Sequence, residues 1–187
     1  MTTGYKIKDQ EGLYFLTFQI VDWLDVFTRK VYKDIIIDSF KYVIEKKGFQ
    51  LFAYVIMSNH IHLVAHSSEG KLSETIRDFK KHTSKRIVET IITDHESRKE
   101  WLLNRFKFRA GQHSRNESYQ VWTHENHAVL LYSPEFIREK IEYIHDNPVR
   151  AGIVEKPEDY LYSSARNYSS LDAPVDVLVL SLPWHTY

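Results

Sequence analysis

The chain has 187 residues, enough to bury one sizeable core, and its 25 Lys+Arg against 25 Asp+Glu leave no global positive field, so attraction for phosphate has to come from local clustering. It contains no cysteine, which excludes disulfides, thiolate metal sites and cysteine nucleophiles and agrees with a reducing compartment. The first residues carry no apolar signal core, and no apolar run approaches the roughly 20 residues a spanning helix requires, so the expectation is a soluble protein of the cytoplasm with no membrane partner.

Residues 13–21, Leu13-Tyr14-Phe15-Leu16-Thr17-Phe18-Gln19-Ile20-Val21, are rich in aromatic and β-branched side chains and read as a first, central strand. Ile35, Ile36, Phe40, Val43 and Ile44 then recur at helical spacing, and Lys46-Lys47-Gly48 supplies a cationic last turn with a glycine stop, which predicts a helix over 32–47. Next come two apolar runs joined at Ser58-Asn59, within Phe52-Ala53-Tyr54-Val55-Ile56-Met57-Ser58-Asn59-His60-Ile61-His62-Leu63-Val64-Ala65-His66. They read as antiparallel strands around a tight turn. Side chains alternate along a strand, so His60 and His62 share one face near a sheet end while Ile61 enters the opposite layer. Two such imidazoles are half of a divalent-metal site, although an isolated His-apolar-His in a chain with ten histidines is more often a piece of ordinary sheet.

A long helix follows over 72–92, with Ser73 as its expected cap and Leu72, Ile76, Phe79, Ile87, Val88 and Ile91 as its apolar stripe. Arg77, Lys80, Lys81, Lys85 and Arg86 gather along the other side, either as a solvated face or as a surface that tracks phosphates. In 98–115, Arg98, Lys99, Arg105, Lys107, Arg109 and Arg115 are interleaved with Trp101, Phe106 and Phe108, and Ala110-Gly111-Gln112 is expected to be mobile. Cations mixed with rings suit single-stranded or hairpin nucleic acid, where phosphates pair and bases stack. Either 119–122 or 128–131 supplies the last strand of a four-stranded antiparallel sheet carrying two helices on one face. Ser133-Pro134-Glu135 opens another helix, and Asn147-Pro148 is expected to stop it. On this helix Ile137, Ile141 and Ile144 form the buried stripe, whereas Lys140, Tyr143 and Asn147 fall together on an adjacent flank.

With these elements in place the chain resembles the REP-associated tyrosine transposases, within the HUH single-tyrosine transposases of bacterial insertion sequences. The resemblance rests on Leu13-Tyr14-Phe15-Leu16-Thr17-Phe18, on Tyr54-Val55-Ile56-Met57-Ser58-Asn59-His60-Ile61-His62-Leu63-Val64, on Tyr143-Ile144-His145-Asp146-Asn147-Pro148-Val149-Arg150-Ala151-Gly152 and on Tyr162-Ser163-Ser164-Ala165. It implies an α+β fold, a ferredoxin-like or RRM-like antiparallel sheet with helices on one face and the nucleophile helix beside it. It implies that His60 and His62, with Asn147 beside them, hold Mg²⁺ or Mn²⁺, and that Tyr143 is the nucleophile. The activity it implies is cleavage and rejoining of single-stranded or hairpin DNA through a 5′-phosphotyrosine. DNA-binding residues expected on this reading are Arg77, Lys80, Lys81, Lys85, Arg86, Arg105, Lys107, Arg109 and Lys140, with Lys140 equally readable as a solvated lysine.

Residues 1–171 are expected to form the transposase-like domain and 172–187 a C-terminal extension packed away from the site. His124 and His127 stay open as metal or DNA ligands, and monomer and homodimer are both compatible with the sequence. Two readings from other classes also stay open: a non-catalytic RRM-like nucleic-acid-binding regulator, and a metal-dependent phosphodiesterase in which water attacks.

Overall fold

A computed structural model describes residues 6–112 and 118–181. Four strands, β1 (Tyr14–Gln19), β2 (Phe49–Ile56), β3 (His60–Ser67) and β4 (Val129–Leu130), form one antiparallel sheet in the order β2-β3-β1-β4, so β1 is internal as its aromatic run predicts. Of the two candidates for the last strand, 128–131 contains it, whereas Trp122 contributes an isolated bridge to Ile20. The helices are α1 (Lys30–Lys46), α2 (Leu72–Thr93), α3 (Lys99–Gly111), α4 (Pro134–Arg150) and the short α5 (Ala165–Tyr168). None of them, among the described residues, is long and apolar enough to cross a membrane.

Alternation along β1 separates two layers. Phe18 meets Phe79 of α2 at 5.8 Å between ring centroids, and Phe79 stacks on Phe40 of α1 at 5.0 Å, so α1 and α2 close one face of the sheet. Phe15, of opposite parity, meets His62 and Tyr143 on the other face, where α4 lies. The sheet is therefore buried on both sides, which is why β1 to β3 read as nearly continuous apolar runs.

Helix ends explain where the sequence expectations hold and where they shift. Gly48 stops α1 with φ +58°, and a Cβ there would lie 2.7 Å from Ser68 Oγ, so both backbone and space call for glycine. Ser73 does not cap α2: Lys71 holds that position, and the Gln10 side chain accepts from Ser73 N–H at 2.9 Å, a cap supplied from far away in sequence. Ser133 does cap α4, accepting from Phe136 N–H at 3.2 Å. Pro148 does not stop it. The helix continues to Arg150 and ends at Gly152 (φ +69°), with Gly152 N–H donating to Val149 O and Ile153 N–H to Pro148 O, the paired bonds of a Schellman motif. Residues 99–111, including Ala110 and Gly111, are helical rather than a mobile joint. Arg115 lies outside the described residues.

The outer edge of β2 is covered by the chain's last part. Ile56 N–H donates to Tyr162 O, Ser164 N–H to Tyr54 O and Leu178 N–H to Leu51 O, while Val175 is buried. Backbone that would otherwise template edge pairing is thereby satisfied.

Glu96 ties the α2–α3 connection to α1. Its buried carboxylate accepts from Tyr32 Oη at 2.9 Å and from Arg98 N and Nε at 3.1 and 3.2 Å, with Arg29 at 3.4 Å. Burial alone would raise its pKa, but the Arg98 N–H and guanidinium and the Tyr32 hydroxyl hold it down at about 2. A folded-state pKa below the ordinary value of 4.5 means that this stabilisation is complete above pH 4.5 and is lost as pH falls toward 2. Glu96→Gln is accordingly expected to cost roughly 2–3 kcal/mol at pH 7. Urea denaturation should show the gap from wild type narrowing between pH 4.5 and pH 2; a gap that does not move with pH would contradict the assignment.

Candidate active site

The site is built across β1, β3 and α4. Register sets Thr17 opposite His62 and Gln19 opposite His60, and the rings of His60 and His62 lie 4.6 Å apart. His62 is buried, stacks on Phe15 at 5.3 Å and has its Nδ1 2.9 Å from Thr17 Oγ1. Burial, followed by the nearby His60, Arg150 and His127, pushes its pKa down to about 3. His60 is also shifted down, by burial. Both imidazoles are therefore neutral at pH 7, the form that donates a lone pair to a metal.

The tautomer of His60 follows from its neighbours. Asn59 Nδ2 donates to Asp25 Oδ1 at 2.9 Å and to Trp23 O at 3.3 Å, which turns Asn59 Oδ1 toward His60 Nδ1 at 2.8 Å. An amide oxygen only accepts, so Nδ1 carries the proton and Nε2 keeps its lone pair. Thr17 can accept from His62 in the same way. This is the pattern in which outer partners orient imidazoles for a cation. Among the described residues no group of three or more His, Cys, Asp or Glu assembles as a metal cage, so His127 does not complete one with the pair.

Tyr143 stands on the opposite wall. It is 37% exposed, and its ring meets His62 edge-on at 5.3 Å and Phe15 at 5.9 Å. One turn later Asn147 Nδ2 donates to Tyr143 O at 3.3 Å, leaving the amide oxygen as an acceptor. Arg150, two turns on, lays its guanidinium 4.3 Å from the Tyr143 ring centroid, and Lys140 Nζ is 6.0 Å from it. Placement of α4 is fixed by His145, whose Nε2 is 2.9 Å from Ser164 Oγ, the same hydroxyl that accepts from Tyr54 N–H. The Tyr162-Ser163-Ser164-Ala165 motif is thus a buckle between α4 and β2.

The expected DNA residues separate into groups. Arg77, Lys80, Lys81 and Lys85 line a groove of about 880 Å³ between α2 and residues 118–126, with Tyr119, Trp122 and His124 on its far wall. Lys80 is turned into that wall: Nζ donates to Thr123 O at 3.0 Å, Glu125 O at 3.3 Å and Asn126 Oδ1 at 2.5 Å, and burial pulls its pKa down to about 7. Arg86 lines a separate groove of about 630 Å³ against α1. Arg105 and Arg109 are brought to Asp22, with Arg105 Nη2 at 2.5 Å and Arg109 Nε at 2.7 Å. Arg109, then Arg105, holds the Asp22 carboxyl below its usual range against the effect of burial. Lys107 is exposed on α3.

Thr17, Asp25, Asn59, Arg150 and Trp23 belong to the site and escaped the reading of the sequence. Arg150 had a signal, since a residue seven after Tyr143 returns to the same flank, but the expected stop at Pro148 hid it. The others depend on cross-strand register and on a turn at Asp22 and Trp23, where both residues have φ 55°. Left-handed backbone at non-glycine residues costs about 1–2 kcal/mol each, and here the Asp22–Arg109 and Asp22–Arg105 pairs hold it.

An antiparallel α+β sandwich with an imidazole pair facing a tyrosine on a helix defines the class of molecule to compare. The model of the IS200-like transposase family matches residues 22–130, more than half of the chain, and the chain belongs to that family. The match includes both histidines and ends before α4. Among solved structures, a REP-associated tyrosine transposase bound to a REP hairpin has the same fold, with a TM-score of 0.63 over 100% of this chain and 99% of that one at 16% identity. Comparison with curated proteins gave no significant match.

Proposed function

We propose that this transposase-family chain cleaves and rejoins single-stranded or hairpin DNA, with Tyr143 as nucleophile. The observation that carries the reading is the edge contact between Tyr143 and His62 at 5.3 Å, with Nδ1 of both histidines engaged and Arg150 over the phenol. The solved relative with a bound REP hairpin supports DNA as the substrate class.

In the proposed step the Tyr143 Oη–P bond forms as the P–O3′ bond breaks. The phenolic proton leaves to water and the departing 3′-oxygen takes one up, giving a 5′-phosphotyrosine and a free 3′-hydroxyl. The adduct is still a phosphodiester, so a 3′-hydroxyl can reverse the step without ATP. Arg150 and Lys140 flank the phenol as cations and would bind the phosphate and offset its charge. His60 and His62, with the Asn147 amide oxygen as a further donor one turn from Tyr143, would hold a divalent ion such as Mg²⁺ or Mn²⁺, mixed nitrogen and oxygen donors suiting Mn²⁺ somewhat better. When bound, such an ion polarises a non-bridging phosphate oxygen. The test is to incubate the protein with labelled hairpin-bearing single strands and Mn²⁺, denature, and look for label on the protein. Cleavage without any adduct would hand the reading to a water-dependent phosphodiesterase.

The groove beside α2 is the proposed path for the flanking strand. Neutralising Arg77, Lys81 and Lys85 together to Gln, with Lys80 kept because it anchors residues 123–126, should weaken DNA binding. The slope of log K against log salt should become shallower by roughly 0.7 per lost phosphate contact. An unchanged slope would remove this groove from the DNA path.

A further inference from the structure

We infer that Trp23 is the stacking platform for the base on the 5′ side of the cleaved phosphate, the nucleotide left with the 3′-hydroxyl. The inference rests on the proposed tyrosine mechanism and adds to it a residue that selects and retains one product end.

Trp23 is 58% exposed, so burial does not account for an indole here. Its backbone is nonetheless held in place. Its N–H donates to Ile20 O at 3.2 Å, its carbonyl accepts from Asn59 Nδ2 at 3.3 Å, and the left-handed Asp22 before it is clamped by Arg105 and Arg109 of α3. The ring meets His60 in a T-shaped contact at 5.9 Å and 78°, and with 58% of the residue exposed it presents ring surface to solvent beside the imidazole pair. An exposed aromatic ring on a held stretch of backbone next to a phosphate-binding site is what base stacking uses, and it tolerates any base because each has a π-face.

Direction follows from register. β1 and β3 run antiparallel with Phe15 opposite Val64 and Gln19 opposite His60, and Tyr143 packs on Phe15 and His62. Trp23 follows the other end of β1 and packs on His60. The imidazole pair thus lies between Tyr143 and Trp23. Displacement at phosphorus is in line, so the leaving 3′-oxygen departs away from the phenol, toward the Trp23 end. A base held there keeps its 3′-hydroxyl close to the phosphotyrosine and favours rejoining over loss of the strand.

The test uses the full chain and a hairpin-bearing strand whose cut position has been mapped by covalent capture. Binding is measured in EDTA, where the strand stays intact, for wild type, Trp23→Ala and Trp23→Phe against strands with an abasic nucleotide at each position around the cut. For wild type, an abasic site immediately 5′ of the cut should reduce affinity roughly 5- to 100-fold. Trp23→Ala should lose a similar factor on the intact strand and nothing further on that abasic strand, whereas Trp23→Phe should stay close to wild type. Capture that persists while wild type and Trp23→Ala respond identically to every abasic position would overturn the role of Trp23 alone. Absence of capture on every strand would overturn the tyrosine mechanism and this inference with it.

Discussion

Tyr143→Phe is expected to abolish covalent capture of DNA while leaving the protein folded and able to bind its strand. The substitution removes one oxygen from a ring that is 37% exposed and keeps the ring contacts with His62, Phe15 and Arg150. Surface changes of this kind usually alter stability by no more than about 0.5 kcal/mol. Loss of a nucleophile is far larger: a drop in capture of at least about a thousandfold is expected, because no remaining group on that flank can form the phosphodiester. Labelled hairpin strands with Mn²⁺, denaturing gels and a parallel binding titration separate the two effects. If Tyr143→Phe still carries the label, another phenol is the attacker, and Tyr132, 82% exposed just before α4, and Tyr119, on the wall of the α2 groove, are the next to replace. If affinity falls together with capture, Tyr143 serves binding, and the phosphodiesterase reading gains.

The parts of this molecule that short-range patterns encode were legible in its sequence. β1 to β3 announce themselves by aromatic and β-branched runs, and Ser133-Pro134-Glu135 marks the start of α4 through a hydroxyl that does cap it. Alternation also brings His60 and His62 onto one face, because a strand offers only two. What escaped depends on partners distant in sequence. The pattern of α3 suggests a surface of cations and rings, but Leu102, Phe106 and Ala110 are its buried residues, and two of its arginines close on Asp22 more than eighty positions away. Basic residues of α2 looked alike in sequence, yet Lys80 turns inward to residues 123–126 and Arg86 faces α1. A proline does not by itself end α4. Its missing N–H favours a stop near Pro148, but the helix runs on through Val149 and Arg150 to a C-cap at Ala151 before the glycine at 152, and this last stretch brings Arg150 against the Tyr143 ring. An error of three positions in a helix boundary therefore hid a cation in contact with the candidate nucleophile.

Removing the imidazoles is expected to remove the dependence of capture on divalent ions, and the two histidines should not behave alike. His62 is buried and stacked on Phe15, so His62→Ala opens space in the sheet and should cost about 1–3 kcal/mol of stability alongside any loss of function. His60 lies nearer the rim, so His60→Ala is the cleaner test: capture should fall by at least about a hundredfold with a small change in the urea midpoint. The double variant should show no response to added Mn²⁺. Asn59→Ala gives a graded control, since it leaves both imidazoles in place but frees His60 to rotate and to change tautomer. Outer partners of this kind commonly contribute about 10- to 100-fold in metal affinity, so Asn59→Ala should shift the Mn²⁺ concentration giving half-maximal capture and be rescued by more metal, whereas His60→Ala should not. Full wild-type capture in excess EDTA, or undiminished capture by the double variant, would dismiss the metal role. The neutral imidazoles would then act as hydrogen-bonding walls of a site that relies on Arg150 and Lys140 to bind phosphate.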